Sequence, residues 1–206
     1  MFKKIIVAVL LLHAMASAST AGSLILKVTD SSYKPLPDVR ATVRAAGHSW
    51  RGYTDRDGVL RIKDVPENEK FEIIWDRGDA EPIRTQGMCF PSGGADLPVS
   101  IEYGIVHKGD HYAVRMPSNP TTGYEWEMLC QDLSGSLTYI DKSYETSATR
   151  PGSKLKAGTG GTEKWVFKVT GLGRTQILFG YKRSWEKEKT PISYHICTVM
   201  SRIVHK

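Results

Sequence analysis

The stretch Asn119-Pro120-Thr121-Thr122-Gly123-Tyr124-Glu125-Trp126 decides how the chain is read. Asn119 precedes a proline and is pushed toward extended geometry, Pro120 fixes its own φ, and Gly123 admits a conformation or a close approach that other residues resist. The outcome is a stiff loop tip with a small face. Tyr124 and Trp126 follow two apart, so on a strand both aromatics lie on one face and Glu125 and Glu127 on the other. The spacing predicts a strand that begins at Tyr124, directly behind a rigid turn.

Strand signals of the same kind recur on both sides of this stretch. They run from Ser100 to Val106, Tyr112 to Met116, Tyr124 to Leu129, Leu137 to Ser143, Thr162 to Thr170, Arg174 to Lys182 and Ile192 to Met200. Alternation supports several: Tyr112, Val114 and Met116 share a face, as do Trp165, Phe167 and Val169, and Ile177, Phe179 and Tyr181. Seven short antiparallel strands across residues 99–206 fit an immunoglobulin-like sandwich. In that arrangement the connections between strands two and three, four and five, and six and seven emerge at one end. Those connections carry the Asn119 stretch, then Gly158-Thr159-Gly160-Gly161, then Arg183-Ser184-Trp185-Glu186.

Upstream the chain again shows short strands and no long helical period. Leu24 to Val28, Val39 to Arg44, Ser49 to Tyr53 and Val59 to Ile62 are punctuated by Asp30-Ser31-Ser32, Pro35-Leu36-Pro37-Asp38 and Asp55-Arg56-Asp57-Gly58. Residues 79–98 hold Pro82, Gly87, Pro91, Gly93, Gly94 and Pro98 without periodicity and read as an inter-domain connection. The expected architecture is all-β, with two β-sandwich domains: a small one over residues 23–78 and the seven-stranded, immunoglobulin-like one over 99–206. Residues 1–18 read as a secretory signal peptide: Lys3 and Lys4 begin it, Ile5 to Leu12 form its apolar core, and Ala16-Ser17-Ala18 is a small-residue cleavage site. The expected location is therefore outside the cytoplasm, periplasmic or secreted. No later run reaches the roughly 18 apolar residues a membrane span needs.

Taken together, Asn119-Pro120-Thr121-Thr122-Gly123-Tyr124, Gly158-Thr159-Gly160-Gly161 and Arg183-Ser184-Trp185-Glu186 resemble the three signature loops of the chagasin-type inhibitors of papain-like cysteine proteases. Three such loops, in order and at the expected strand junctions, are far more specific than one. The resemblance covers residues 99–206 and implies a reversible, non-covalent, competitive inhibitor, a monomer with no cofactor, whose partners are papain-like proteases of the cathepsin L type. It implies that Thr121, Thr122 and Gly123 form a wedge in the catalytic cleft. Gly160 and Gly161 would permit close backbone approach, and Arg183, Trp185 and Glu186 would clasp the cleft wall. One departure is visible, because the family has proline where this chain has Ser184. Upstream, the order Pro35-Leu36-Pro37-Asp38, then Thr54-Asp55-Arg56-Asp57-Gly58-Val59, then Lys63-Asp64-Val65-Pro66 resembles carboxypeptidase-regulatory or transthyretin-like β-domains. An adhesion or carbohydrate-binding module built on the same sandwich is the alternative function class.

Composition excludes more than it suggests. The chain has 206 residues, 40% of them hydrophobic, and a formal charge of +6, which becomes +4 without Lys3 and Lys4. That excess is spread out with no basic run, which argues against nucleic acid. Cys89, Cys130 and Cys197 are too far apart for a metal knuckle, and export favours at most one disulfide. Strand parity puts Cys130 with Trp126 on the core face and Cys197 with His195, opposite Tyr194 and Ile196. His107 and His111 have helical zinc spacing but sit in a strand-and-turn context with no glutamate between them. Asp55 and Asp57 look like the start of a calcium loop, yet Pro66 stands where its distal acidic ligand belongs, so a tight turn is expected. No Gly-x-Ser-x-Gly elbow is present, and His195 and Cys197 share one strand, so no enzyme is expected.

Overall fold

The computed structural model describes residues 21–78, 81–94, 96–132, 136–146 and 160–203. The expected signal peptide, and Gly158 and Thr159, lie outside them. The N-terminal half supplies β1 (Ala21–Asp30), β2 (Arg40–Ala45), β3 (His48–Tyr53), β4 (Val59–Pro66), β5 (Lys70–Asp76) and β6 (Ile83–Cys89). The C-terminal half supplies β7 (Asp96–His107), β8 (His111–Ser118), β9 (Tyr124–Asp132), β10 (Leu137–Thr146), β11 (Gly161–Val169), β12 (Gly173–Arg183) and β13 (Ser193–Arg202). The fold is all-β, and the seven strands expected after residue 99 are all present.

The strands form three layers. A central six-stranded sheet, in the order β4-β1-β7-β13-β12-β9, lies between a four-stranded sheet, β3-β2-β5-β6, and a three-stranded one, β10-β11-β8. β7 joins the halves by pairing parallel to both neighbours, with Leu26 opposite Val99 on one side and Ile196 opposite Ile101 on the other. Alternation then feeds two cores. Val99, Ile101, Tyr103, Leu178, Tyr194 and Ile196 face the four-stranded sheet and its Val43, Phe71, Ile73 and Trp75. Ile177, Phe179, Cys197 and Val199 face the three-stranded sheet and its Val114, Met116, Trp165 and Phe167. Strands covered on both faces have no polar side, which is why Tyr194 to Val199 are buried without a break.

Two expectations need correction. Residues 79–98 are not a bare connection, because β6 and the first residues of β7 fall within them. Ile83, Thr85 and Met88 point inward, and the ladder to β5 slips between Phe71 and Ile73, absorbed at Gln86 and Gly87. Gly87 has φ +89°, a bulge glycine where sequence patterning suggested a breaker. The two sandwiches therefore share a sheet. Cys130 is exposed, not on the core face, because the β9–β12 register skips Leu129: Phe179 pairs with Met128 and Leu178 with Cys130. All three cysteines are free thiols, with Cys197 buried and Cys89 half-buried.

Candidate functional site

Ladder register brings the three loops level at one end. Gly161, the first residue of β11, pairs with Ser118 at the end of β8 and with Thr146 at the end of β10. Across the sandwich, Tyr124 at the start of β9 pairs with Arg183 at the end of β12. The ladders therefore end together at Ser118, Thr146 and Gly161 on one sheet and at Tyr124 and Arg183 on the other.

The first loop is a 3-10 turn over Pro120–Thr122, and its hydrogen bonds are internal. Asn119 O accepts the Thr122 amide at 3.1 Å and its hydroxyl at 2.6 Å. The Thr121 hydroxyl donates to Asn119 Oδ1 at 2.7 Å, and Gly123 N donates to Pro120 O at 2.9 Å. Pro120, Thr121 and Thr122 are exposed, while both threonine hydroxyls have partners within the turn itself. Gly123 closes it in the left-handed region at φ 78°, and the strand starts at Tyr124 as expected.

Trp185 meets this turn. Its indole is 64% exposed, yet a Cβ at Gly123 would fall inside the contact radius of the ring and come within 3.0 Å of Cζ2 and Cζ3. Glycine at position 123 therefore has two roles: it relieves the left-handed φ, and it lets the indole lie on the turn. Arg183 stacks its guanidinium 4.8 Å from the Tyr124 ring and 5.9 Å from that of Trp185, and Tyr124 stacks on Tyr181 at 5.5 Å. The Tyr181 hydroxyl accepts the Asn119 amide at 2.9 Å. Loops one and three are in this way a single braced unit.

Ser184 and Trp185 occupy the middle of a turn closed by Glu186 N to Arg183 O at 3.1 Å, and a second turn follows from Lys189 N to Glu186 O at 3.1 Å. Lys189 at 3.0 Å and Arg183 at 3.5 Å pair with Glu186 Oε1, and together they hold that carboxyl below the usual carboxylate range. These bonds hold the turn although Ser184 does not fix its own φ as a proline would.

Of the glycine-rich loop, Gly160 and Gly161 are described. Gly161 packs so tightly that a Cβ would meet Glu145 O and the Tyr144 ring at 2.5 Å. Glycine is fixed there by its own sheet, whereas Gly160 is half-buried with its nearest atom, Ser118 O, at 3.7 Å.

Beneath the loops lies a residue that sequence reasoning passed over. Glu163 is 2% exposed; its Oε1 accepts the Ser118 hydroxyl at 2.6 Å and the Trp126 amide at 3.2 Å, and its Oε2 pairs with Lys142 Nζ at 3.0 Å. Trp126 Nε1 donates to Pro117 O at 2.9 Å, so both ends of the first loop are pinned from below. The signal was present in the sequence, because Glu163 has the parity of Trp165 and Phe167, a charge on a core face.

The side chains weighed for catalysis go elsewhere. Cys197 is fully buried and burial pushes its thiol up; it lies 3.6 Å from the Tyr112 hydroxyl, which burial also raises and which is bonded to the buried Glu102. His195 sits 3.4 Å from Glu102 in the same closed core. His107 and His111 flank a turn in which Asp110 Oδ2 accepts the His107 amide at 3.1 Å. The Asp55 carboxylate caps its own turn, accepting the amides of Asp57 and Val59 at 2.9 Å each.

Residues 105–199 match the family described as chagasin family peptidase inhibitor I42. Amoebiasin-1 of Entamoeba histolytica is 32% identical over 83 residues, which are 39% of this chain and 72% of that protein. Chagasin of Trypanosoma cruzi is 30% identical over 95 residues, 45% of this chain and 76% of that protein. The chain belongs to the chagasin family. Members of that family are protease inhibitors, not enzymes. Among solved structures, the cysteine protease inhibitor EhICP2 from Entamoeba histolytica aligns with a TM-score of 0.41 at 21% identity, over 52% of this chain and 97% of that one. PbICP-C, solved in complex with falcipain-2, aligns with a TM-score of 0.36 at 20% identity, over 50% of this chain and 89% of that one. The matched span of this chagasin-family chain covers the first and third loops and the described part of the second.

Proposed function

We propose that the chain is an exported, monomeric, reversible and non-covalent competitive inhibitor of papain-family cysteine proteases, including cathepsin L-type enzymes. The three loops would enter and flank the active-site cleft. The observation that carries this reading is the exposed Pro120-Thr121-Thr122 turn braced through Gly123 against the exposed indole of Trp185. Ordering each rotamer-rich side chain on binding costs about 0.5 to 1.5 kcal/mol. Here Thr121 and Thr122 are ordered beforehand by Asn119, and the Trp185 ring by Gly123. A 3-10 turn also withholds from the enzyme the extended backbone that a cleft reads along a bound peptide.

Thr122 and Trp185 act as wedge and anchor, and Gly160 lets backbone approach backbone. The N-terminal half, whose turns resemble carboxypeptidase-regulatory domains, covers the rear face of the shared sheet. The test is a titration of papain and a cathepsin L-type enzyme with the full chain, followed against a fluorogenic peptide. Expected are a rise in apparent KM at constant kcat and activity that returns on dilution. Absence of inhibition at micromolar concentration would refute the proposal. Glycan or surface binding that survives Thr122→Asp and Trp185→Ala would support an adhesion module instead.

A further inference from the structure

Loops of the N-terminal half rise at the same end as the three inhibitory ones. The turn between β4 and β5 and the segment between β6 and β7 line a groove of about 450 Å³, with Asn68, Pro91 and Ser92 on one side and Arg183, Glu186 and Ile192 on the other. This wall is built to stay in place. The Glu67 carboxylate, 9% exposed, accepts the Gly93 amide at 3.0 Å and also the Gly94 amide. Asn68 N donates to Phe90 O at 2.8 Å and Phe90 N to Glu69 O at 2.9 Å. Tyr194, at the start of β13 directly after the Trp185 loop, spans the layers: its hydroxyl donates to Cys89 O and accepts Cys89 N, both at 3.0 Å.

Layer order then sets the order of contacts. Gly161 belongs to the three-stranded sheet, the Thr121–Thr122 turn links that sheet to the central one, Trp185 rises from the central sheet, and Asn68 and Ser92 lie in the connections that link the central sheet to the four-stranded one on its other face. With the turn seated in a cleft, the next element outward past Trp185 lies over the protease surface beside the cleft wall. What it offers there is polar: the exposed Asn68 amide, the Ser92 hydroxyl and an exposed Gly93-Gly94 backbone. We propose that Asn68 and residues 91–94 form a fourth contact, against a hydrogen-bonding rim of the protease outside its active-site cleft, and that this contact sets which papain-like enzymes are held tightly. The inference rests on the inhibitory function proposed above. Rim contacts of this type discriminate between partners more than they add affinity.

The test uses the full chain with Ser92→Arg and, separately, Asn68→Asp, which keeps a residue type suited to the left-handed φ of 58° at that position. Inhibition constants are measured on papain and on a cathepsin L-type enzyme beside Thr122→Asp and Trp185→Ala, with melting temperatures as the folding control. Hydrogen exchange of residues 66–70 and 90–94 is followed with and without papain. Expected is a loss of at least tenfold against one enzyme for Ser92→Arg or Asn68→Asp, a changed ratio between the two enzymes, and slowed exchange at 90–94 in the complex. Thr122→Asp weakening both enzymes while the Ser92 and Asn68 variants stay within twofold and exchange is unchanged would overturn the fourth contact alone. Absence of inhibition by the unaltered chain would overturn the underlying function and this inference with it, and unchanged inhibition by Thr122→Asp and Trp185→Ala would overturn the seating of the turn on which the fourth contact is built.

Discussion

Gly123→Ala separates the two jobs of that residue. A methyl at 123 meets the Trp185 ring, with Cζ2 and Cζ3 only 3.0 Å from the new carbon, while the backbone stays at φ 78°. The left-handed conformation costs a non-glycine residue about 1–2 kcal/mol. The indole adds little to the folding cost, because it is exposed and can swing aside. Stability should fall by that 1–2 kcal/mol, or roughly 2–8 °C in melting temperature for a chain of this size. Binding should suffer separately, since a displaced tryptophan anchor forfeits about 2 kcal/mol, near 30-fold in the inhibition constant.

A double-mutant cycle with Trp185→Ala measures this directly, using inhibition of papain and thermal unfolding on all four chains. On the Trp185→Ala background, Gly123→Ala should still lower the melting temperature yet change the inhibition constant by less than threefold, a coupling of about 1–2 kcal/mol. Strictly additive losses of inhibition, or full inhibition by Gly123→Ala, would refute the idea that these two loops act as one unit.

The remaining predictions concern how that unit is supported. Glu163→Ala strips the Ser118 hydroxyl and the Trp126 amide of their acceptor and Lys142 of its buried partner. Breaking such a pair costs about 3 kcal/mol, on the order of 10 °C, with weakened inhibition from a loosened first loop; an unchanged unfolding curve would refute the brace. Ser184→Pro places proline at the second position of a turn that favours it and should stabilise by about 0.4–1 kcal/mol with inhibition retained or tightened; a lowered melting temperature would show that the turn is assigned wrongly. A thiol reagent applied to the folded chain should modify Cys130 rapidly, Cys89 slowly and Cys197 only on unfolding, as read by mass spectrometry of peptides; rapid labelling of Cys197 would contradict its burial.

The strands of the three-stranded sheet were legible because they bury one face, toward the central sheet, as Tyr112, Val114 and Met116 on β8 and Trp165, Phe167 and Val169 on β11 do. Layering was not legible. Period-two alternation reports one buried face, and β7, β12 and β13 bury both, so nothing in their pattern says that a second sheet covers the rear. β6 stayed hidden because Gly87 looked like an interruption instead of a bulge, and Cys130 was misplaced by the slip at Leu129, since a bulge reverses parity from that point onward. At the site, Asn119 to Tyr124 could be read as rigid from proline and glycine chemistry. The contact between Gly123 and Trp185 could not, because it joins loops 62 positions apart in numbering through a ring that only the folded register brings over the turn.

The most direct test of the central claim is protection of the protease's own catalytic thiol. Papain is mixed with increasing full-length chain, and the rate at which a small thiol-directed label reaches the active-site cysteine is followed by mass spectrometry. The proposed function requires that labelling slow in proportion to occupancy, stop near one chain per enzyme, resume on dilution, and escape this block when Thr122 is replaced by aspartate. Labelling at an unchanged rate with the enzyme fully bound would mean that the braced turn does not occupy the cleft.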